Sequence, residues 1–247
     1  MKAVIYICHG SRVEESKKEA FQLIDKVKQQ VDIPIQETCF LELQEPDLSE
    51  TVHKIVAKGV TQITIVPILL LTAGHAKHDI PKMIEEERNK YPQIVFRYGR
   101  PIEIEPKMIT IVEDHIKKTT DETEKFDILF VGRGSSDPQA VNDTETLVEM
   151  LREKFPNNLI EKCFLAASSP PKFEKVLTEK INKQKKSVLV VPYLLFTGLL
   201  IKEIKQFLEK LTLADEQELL MTEYLSQHEL LSDILKDRVL EVTEGME

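Results

Sequence analysis

The sequence repeats itself. Val4-Ile5-Tyr6-Ile7-Cys8-His9-Gly10-Ser11 matches Ile128-Leu129-Phe130-Val131-Gly132-Arg133-Gly134-Ser135, so that His9 falls on Arg133, 124 positions later. Cys39-Phe40-Leu41 falls on Cys163-Phe164-Leu165, and Pro46 on Pro170, in the same register. Val66-Pro67 matches Val191-Pro192 after one inserted residue, and Gly74 returns to register with Gly198. Separated blocks that share a register indicate a duplication, and two copies make a pair of lobes rather than a solenoid. The expected lobes are residues 1–118 and 126–247, joined by the polar, charged stretch 119–125.

Within each copy, strand and helix patterns alternate. Apolar, β-rich runs lie at 3–8, 35–41, 63–71 and 94–98, and again at 126–131, 159–165, 187–195 and 219–221. Helical spacing of apolar residues marks 14–31, 47–58, 77–90 and 106–118, then 142–154, 172–183 and 201–211, with most of the remainder helical. Near-continuous apolar strands belong in a sheet covered on both faces. The predicted fold is therefore α/β, with two similar lobes, each a parallel sheet flanked by helices.

Charge and cysteine content narrow the function. A formal net charge of −9 argues against nucleic acid as a partner, since phosphate binding needs a basic surface. A carboxylate-rich ligand would have to meet a local basic patch. The three cysteines, Cys8, Cys39 and Cys163, form no CxxC pair and read as reduced thiols of a cytoplasmic protein, buried as small hydrophobes. No signal peptide is expected, because Met1-Lys2 runs straight into a strand, and no membrane span, because the longest apolar run contains Pro67 and is too short.

In a parallel sheet, ligands bind beyond the carboxyl ends of the strands. In the first copy those ends carry His9 and Arg12, then Glu42 and Glu45, then Thr72-Ala73-Gly74-His75. In the second copy, His9 becomes Arg133, Glu42 and Glu45 become Ala166 and Ser169, and His75 becomes Leu199. The scaffold was kept while the ionisable groups were replaced, so the first set is read as functional and not as a folding requirement. Two imidazoles on facing loops can hold Fe2+, Co2+ or Ni2+ without enclosing it, and a carboxylate is a plausible harder partner. An imidazole with a solution pKa of ~6.5 is also suited to accept a proton. Gly10 and Gly74 are expected to let backbone approach a ligand. His78 makes an HxxH pair with His75 geometrically possible, Cys8 is the one thiol beside the site, and His53, His115 and His228 are expected to be solvated helix residues.

His9-Gly10-Ser11-Arg12, Phe40-Leu41-Glu42-Leu43-Gln44-Glu45-Pro46, and the run from Pro67 through Leu70-Leu71-Thr72-Ala73-Gly74-His75 to Asp79-Ile80-Pro81 together resemble the class II chelatases, the sirohydrochlorin ferrochelatases and cobaltochelatases. The resemblance spans essentially the whole chain, counting the degenerate second copy. It implies a lyase-type enzyme that inserts a divalent metal into sirohydrochlorin, a tetrapyrrole with eight carboxylates. The ion is a substrate, and no permanently bound cofactor is implied. It implies that His9 and His75 bind the metal, that His9 accepts a proton, that Glu42 assists proton removal, and that Glu45 and the Leu70, Leu71, Thr72, Ala73, Gly74 loop touch the tetrapyrrole. Arg12, Lys77, Arg133 and Lys202 are the candidates for pairing with its carboxylates. The chain lacks the His-rich tract and Cys-rich tail of some longer cobaltochelatases, which favours iron, with cobalt or nickel as alternatives. It is longer than single-lobe archaeal forms that dimerise, so the two lobes are expected to do that work in one monomer.

Two other classes compete. A non-catalytic tetrapyrrole or metal carrier would need the binding groups but no proton acceptor. A histidine phosphatase would need arginine directly before its histidine, where this chain has Cys8.

Overall fold

The computed structural model describes residues 1–166, 168–184 and 186–244. Strand β1 (Lys2–Cys8) lies between β2 (Ile35–Phe40) and β3 (Gln62–Ile68), with β4 (Val95–Tyr98) outside β3. Every pairing is parallel, and β1 registers Ala3 against Ile35 and Ile63. The second sheet repeats this order as β6 (Ile160–Phe164), β5 (Asp127–Gly132), β7 (Val188–Tyr193), β8 (Leu219–Met221). Ala3 through Cys8 and Ile128 through Val131 are all buried, as a sheet covered on both faces requires.

Between the strands run α1 (Glu14–Gln30), α2 (Leu48–Val56), α3 (Ile80–Lys90), α4 (Pro106–Thr119), α5 (Pro138–Lys154), α6 (Phe173–Thr178), α7 (Leu199–Leu208) and α8 (Leu230–Thr243). Their starts follow capping chemistry. Asp47 accepts from the Glu50 amide while Glu50 accepts from the Asp47 amide, a capping box that stabilises α2 by about 1 kcal/mol. Helix α5 begins earlier than its apolar spacing predicts, because Asp137 caps it and Pro138 occupies the first turn, where a missing N–H costs nothing. The polar stretch 119–125 ends in a short 3-10 turn, Thr123–Lys125.

The repeats and the compact units do not coincide. One unit comprises Met1–Glu103 together with the segment from Glu229 onward, and the other comprises Ile104–His228. The boundaries 1–118 and 126–247 thus delimit the sequence copies, while each copy's last helix packs in the unit built on the other copy's sheet. Leu231, Leu235 and Val239 form the buried stripe of α8, which Gln30 of α1 joins by a hydrogen bond to Ser232 (3.2 Å). In the other unit α4 buries Met108, Ile111, Val112 and His115. His115 is therefore not a solvated helix residue: it completes an apolar stripe at helical spacing, and burial holds its imidazole below the usual range. His228 lies outside any helix, stacks obliquely on His115 at 5.6 Å and meets Asp114 at 3.1 Å.

The structural register of the repeat also differs locally from the sequence match. The Phe40 amide donates to Pro46, but the Phe164 amide donates to Pro171. The Ser11 amide meets Gln44, and the Ser135 amide meets Ser169. The inserted residue therefore precedes this proline, so Pro46 corresponds to Pro171 and Glu45 to Pro170 rather than to Ser169.

Candidate active site

The post-strand loops of the first unit continue to pair beyond the sheet. Cys8 accepts from the Leu41 amide (2.8 Å) and His9 from the Glu42 amide (3.2 Å), which carries His9 to the side of Glu42. Gly10 then turns with φ of 96°, and a Cβ there would sit 1.8 Å from the Glu42 carbonyl oxygen. Glycine is required for this close loop-to-loop approach. At Gly74, by contrast, φ is −45° and a Cβ would meet nothing within 4 Å.

Strand β3 ends at Ile68, short of the expected 71, and residues 69–73 form a loop. His75 opens a π-turn, His75–Asp79, whose carbonyl accepts from the Ile80 amide. The sequence pattern predicts a plain helix from 77. Such single turns leave no periodic signature, yet they recur at functional sites. Tyr98 of β4 pins the turn by donating to Ala76 (3.1 Å).

This geometry brings His9 and His75 together, with ring centroids 4.8 Å apart and planes at 82°. His75 Nδ1 lies 2.7 Å from Asp79 Oδ2, and His9 Nδ1 lies 3.2 Å from the Gly10 carbonyl. A carbonyl and an ionised carboxylate only accept, so the hydrogen-bond network assigns the proton of each neutral ring to Nδ1. The lone pair of each ring is then on Nε2. Glu42 Oε1 stands 3.6 Å from His9 Nδ1. Asp79, quoted in the sequence motif but given no role there, is the residue that site reasoning missed. Its i, i+4 spacing from His75 on a helical stretch was the available signal.

The remaining candidates are placed as follows. Glu42 does not cap α2, a task Asp47 performs. Glu45 is exposed, its carbonyl accepts from Lys17, and with Glu14, Glu42, Leu43 and Asp47 it lines a depression of about 640 Å³. Leu70, Leu71, Thr72 and Ala73 are half-buried, and Thr72 donates to Glu103 at 2.5 Å. Arg12, Lys77 and His78 are exposed. Arg133 and Lys202 belong to the other unit and are exposed there. Arg133 holds the place of His9, accepting from the Ala166 amide at 2.8 Å. Cys8 is buried, and burial pushes its thiol up to about 12; all three cysteines are buried. Among the described residues no group of three or more His, Cys, Asp or Glu side chains is assembled that could hold a metal ion. Nor is any helix among them long and apolar enough to cross a membrane.

Known proteins resemble this chain along nearly its whole length. The sirohydrochlorin ferrochelatase of Priestia megaterium is 42% identical over 240 residues, covering 97% of this chain and 90% of that protein. The sirohydrochlorin cobaltochelatase of the same organism is 35% identical over 251 residues, covering 99% and 81%. The structure of SirB from Bacillus subtilis with Fe3+ matches with a TM-score of 0.88 at 34% identity, over 99% of this chain and 96% of that one. The CbiX family model matches twice, over residues 3–119 and 127–242, one match for each copy of the repeat, and the chain belongs to the CbiX family.

Proposed function

We propose that this protein inserts Fe2+ into sirohydrochlorin to give sirohaem. One metal ion enters, two metal–nitrogen bonds replace two pyrrole N–H bonds, and two protons leave. The observation that carries the reading is the pair of imidazoles, 4.8 Å apart, on the segments that follow β1 and β3. Both Nδ1 atoms face acceptors, so Nε2 is the atom through which each ring would meet a divalent ion. Two neutral donors hold such an ion weakly, which suits an ion that must be passed on. Asp79 fixes the tautomer and direction of His75, as carboxylates do behind metal-binding histidines.

In this reading His9 takes a pyrrole proton once the ion has moved, and Glu42, 3.6 Å away, stabilises the resulting imidazolium and passes the proton outward. Glu45 and the loop of Leu70, Leu71, Thr72, Ala73 and Gly74 meet the macrocycle, and Arg12 and Arg133 pair with its carboxylates. The enzyme is then a lyase that needs no resident cofactor, acts as a cytoplasmic monomer of two lobes, and treats the metal as substrate.

Cobalt insertion is the second reading, favoured by the 35% identity to a cobaltochelatase. The choice is decided by anaerobic insertion of Fe2+ against Co2+ into sirohydrochlorin, followed by absorbance. Faster formation of the iron product supports the first reading and faster formation of the cobalt product the second. Tight binding of sirohydrochlorin with no acceleration of either insertion identifies a carrier.

A further inference from the structure

The loop leading to His75 is held from outside the sheet. Leu69 accepts from the Ile102 amide (3.0 Å) and Leu70 from the Glu103 amide (2.8 Å). Glu103 sits at φ of 60°, where residues other than glycine are uncommon. From there one carboxylate oxygen accepts from the Thr72 hydroxyl (2.5 Å) and the other from Arg100 (3.0 Å). Arg100 in turn forks onto Glu241 of α8 through two bonds of 2.9 Å each. Glu241 also accepts from Arg238 (2.7 Å), and Arg238, only 2% exposed, donates to the Pro101 and Ile102 carbonyls at 3.2 and 2.7 Å. Gly99 lets α8 come this close, since a Cβ there would stand 3.1 Å from Val242.

The other unit supplies a control. Its corresponding loop makes the same backbone pairing, with the Leu225 amide donating to Leu194 (3.0 Å) and the Ser226 amide to Leu195 (2.9 Å). The residue in the place of Glu103 is Ser226, whose buried hydroxyl has no hydrogen-bond partner. Backbone pairing alone is therefore enough to shape the loop. The unit with the histidines adds to that pairing a carboxylate, Glu103, where the other has the unpartnered hydroxyl of Ser226.

We propose that Arg238, Glu241, Arg100 and Glu103 are positioning residues through which α8, a helix supplied by the second repeat, fixes Thr72 and the 69–75 segment for the incoming macrocycle. This rests on the reading above that the loop meets the tetrapyrrole. Single exposed ion pairs contribute little, but this one is bidentate and anchored to a buried arginine. Arg100 beside it holds the Glu241 carboxyl below the usual carboxylate range, as a working contact would.

The test compares wild type with Glu241→Gln, Glu103→Gln, Thr72→Val and the Glu241→Gln/Thr72→Val double variant. Amide exchange is read over residues 69–75, and kcat/KM is read for sirohydrochlorin. Glu103→Gln leaves the anchoring of α8 by Arg238 intact, so a defect there is not a loss of helix docking. Each of the two relay variants is expected to speed exchange in 69–75 and to lower kcat/KM about 3- to 10-fold, mainly through KM. Glu241→Gln should add little once Thr72 is valine. Unchanged exchange in both relay variants, faster exchange with unchanged kcat/KM, or full additivity in the double variant would each overturn the proposal. If the wild type fails to insert metal, the functional reading falls, and the exchange measurement still decides the relay.

Discussion

After β1 the chain turns through Gly10 at φ of 96°, and after β5 through Gly134 at φ of 89°. Both turns accept the amide two residues past the neighbouring strand, at His9 in one unit and Arg133 in the other. After β3 the chain enters its helix at His75, and after β7 at Leu199, which is 53% exposed. The backbone plan is shared, whereas among the described residues the imidazole pair, the Asp79 contact and the Glu103 relay are found in one unit. Folding requires the shared part, so the unshared part is where the chemistry belongs.

The largest effect expected from this comparison is in the imidazoles themselves. His9→Ala and His75→Ala should each lower metal insertion by about 10²-fold or more while leaving the melting temperature nearly unchanged. A variant that loses activity and stability together would move its histidine to the shared, structural side.

Next comes the support behind His75. Asp79→Ala should weaken metal binding about 10- to 100-fold, read as KM for the metal, whereas Asp79→Asn keeps an acceptor for Nδ1–H and should recover most of it. Equal losses in the two variants would show that charge matters, not orientation.

The glycines compare the two turns directly. In Gly10→Ala the Cβ would lie 1.8 Å from a backbone oxygen, whereas in Gly134→Ala its nearest neighbours, the Ser169 hydroxyl and the Cβ atoms of Ala166 and Phe164, would lie at 3.0, 3.1 and 3.2 Å, tight but not overlapping. Both variants carry the left-handed penalty of roughly 1–2 kcal/mol, and Gly10→Ala should cost at least about 2 kcal/mol more in chemical denaturation. Equal costs would mean that the 42–45 loop is softer than its packing implies.

The smallest effect lies in the unit without the histidine pair. Burial holds the His115 imidazole below its usual range, with His228 reinforcing the shift. The unfolded chain therefore takes up this proton first. The stability contribution is intact above about pH 6.5 and is lost as pH falls through the folded value. The melting temperature should decline on going from pH 7 to pH 5, and less steeply in His115→Gln.

Much of this was legible before the structure. The strands, the duplication and the contrast between His9 and Arg133 follow from residue pattern alone, because buried parallel strands are apolar throughout and strand ends are where polar groups gather. The helix exchange was not legible: α4 and α8 carry the same kind of apolar stripe, and nothing in a stripe says which sheet it will cover. The Pro46–Pro171 equivalence required the hydrogen bonds, because two adjacent prolines offered Pro170 as an equally good sequence match. Glu103 and Arg100 were invisible as well, since their partners Thr72 and Glu241 lie 31 and 141 residues away. His115 could have been found, as it continues the Met108, Ile111, Val112 stripe by one further step of three.

Whether two rings hold one ion is read directly by titration with Co2+ followed by its visible absorption. One ion per chain is predicted, with the signal lost in His9→Ala and in His75→Ala alike. Unaltered binding in either variant, or two equivalent ions per chain, would contradict it.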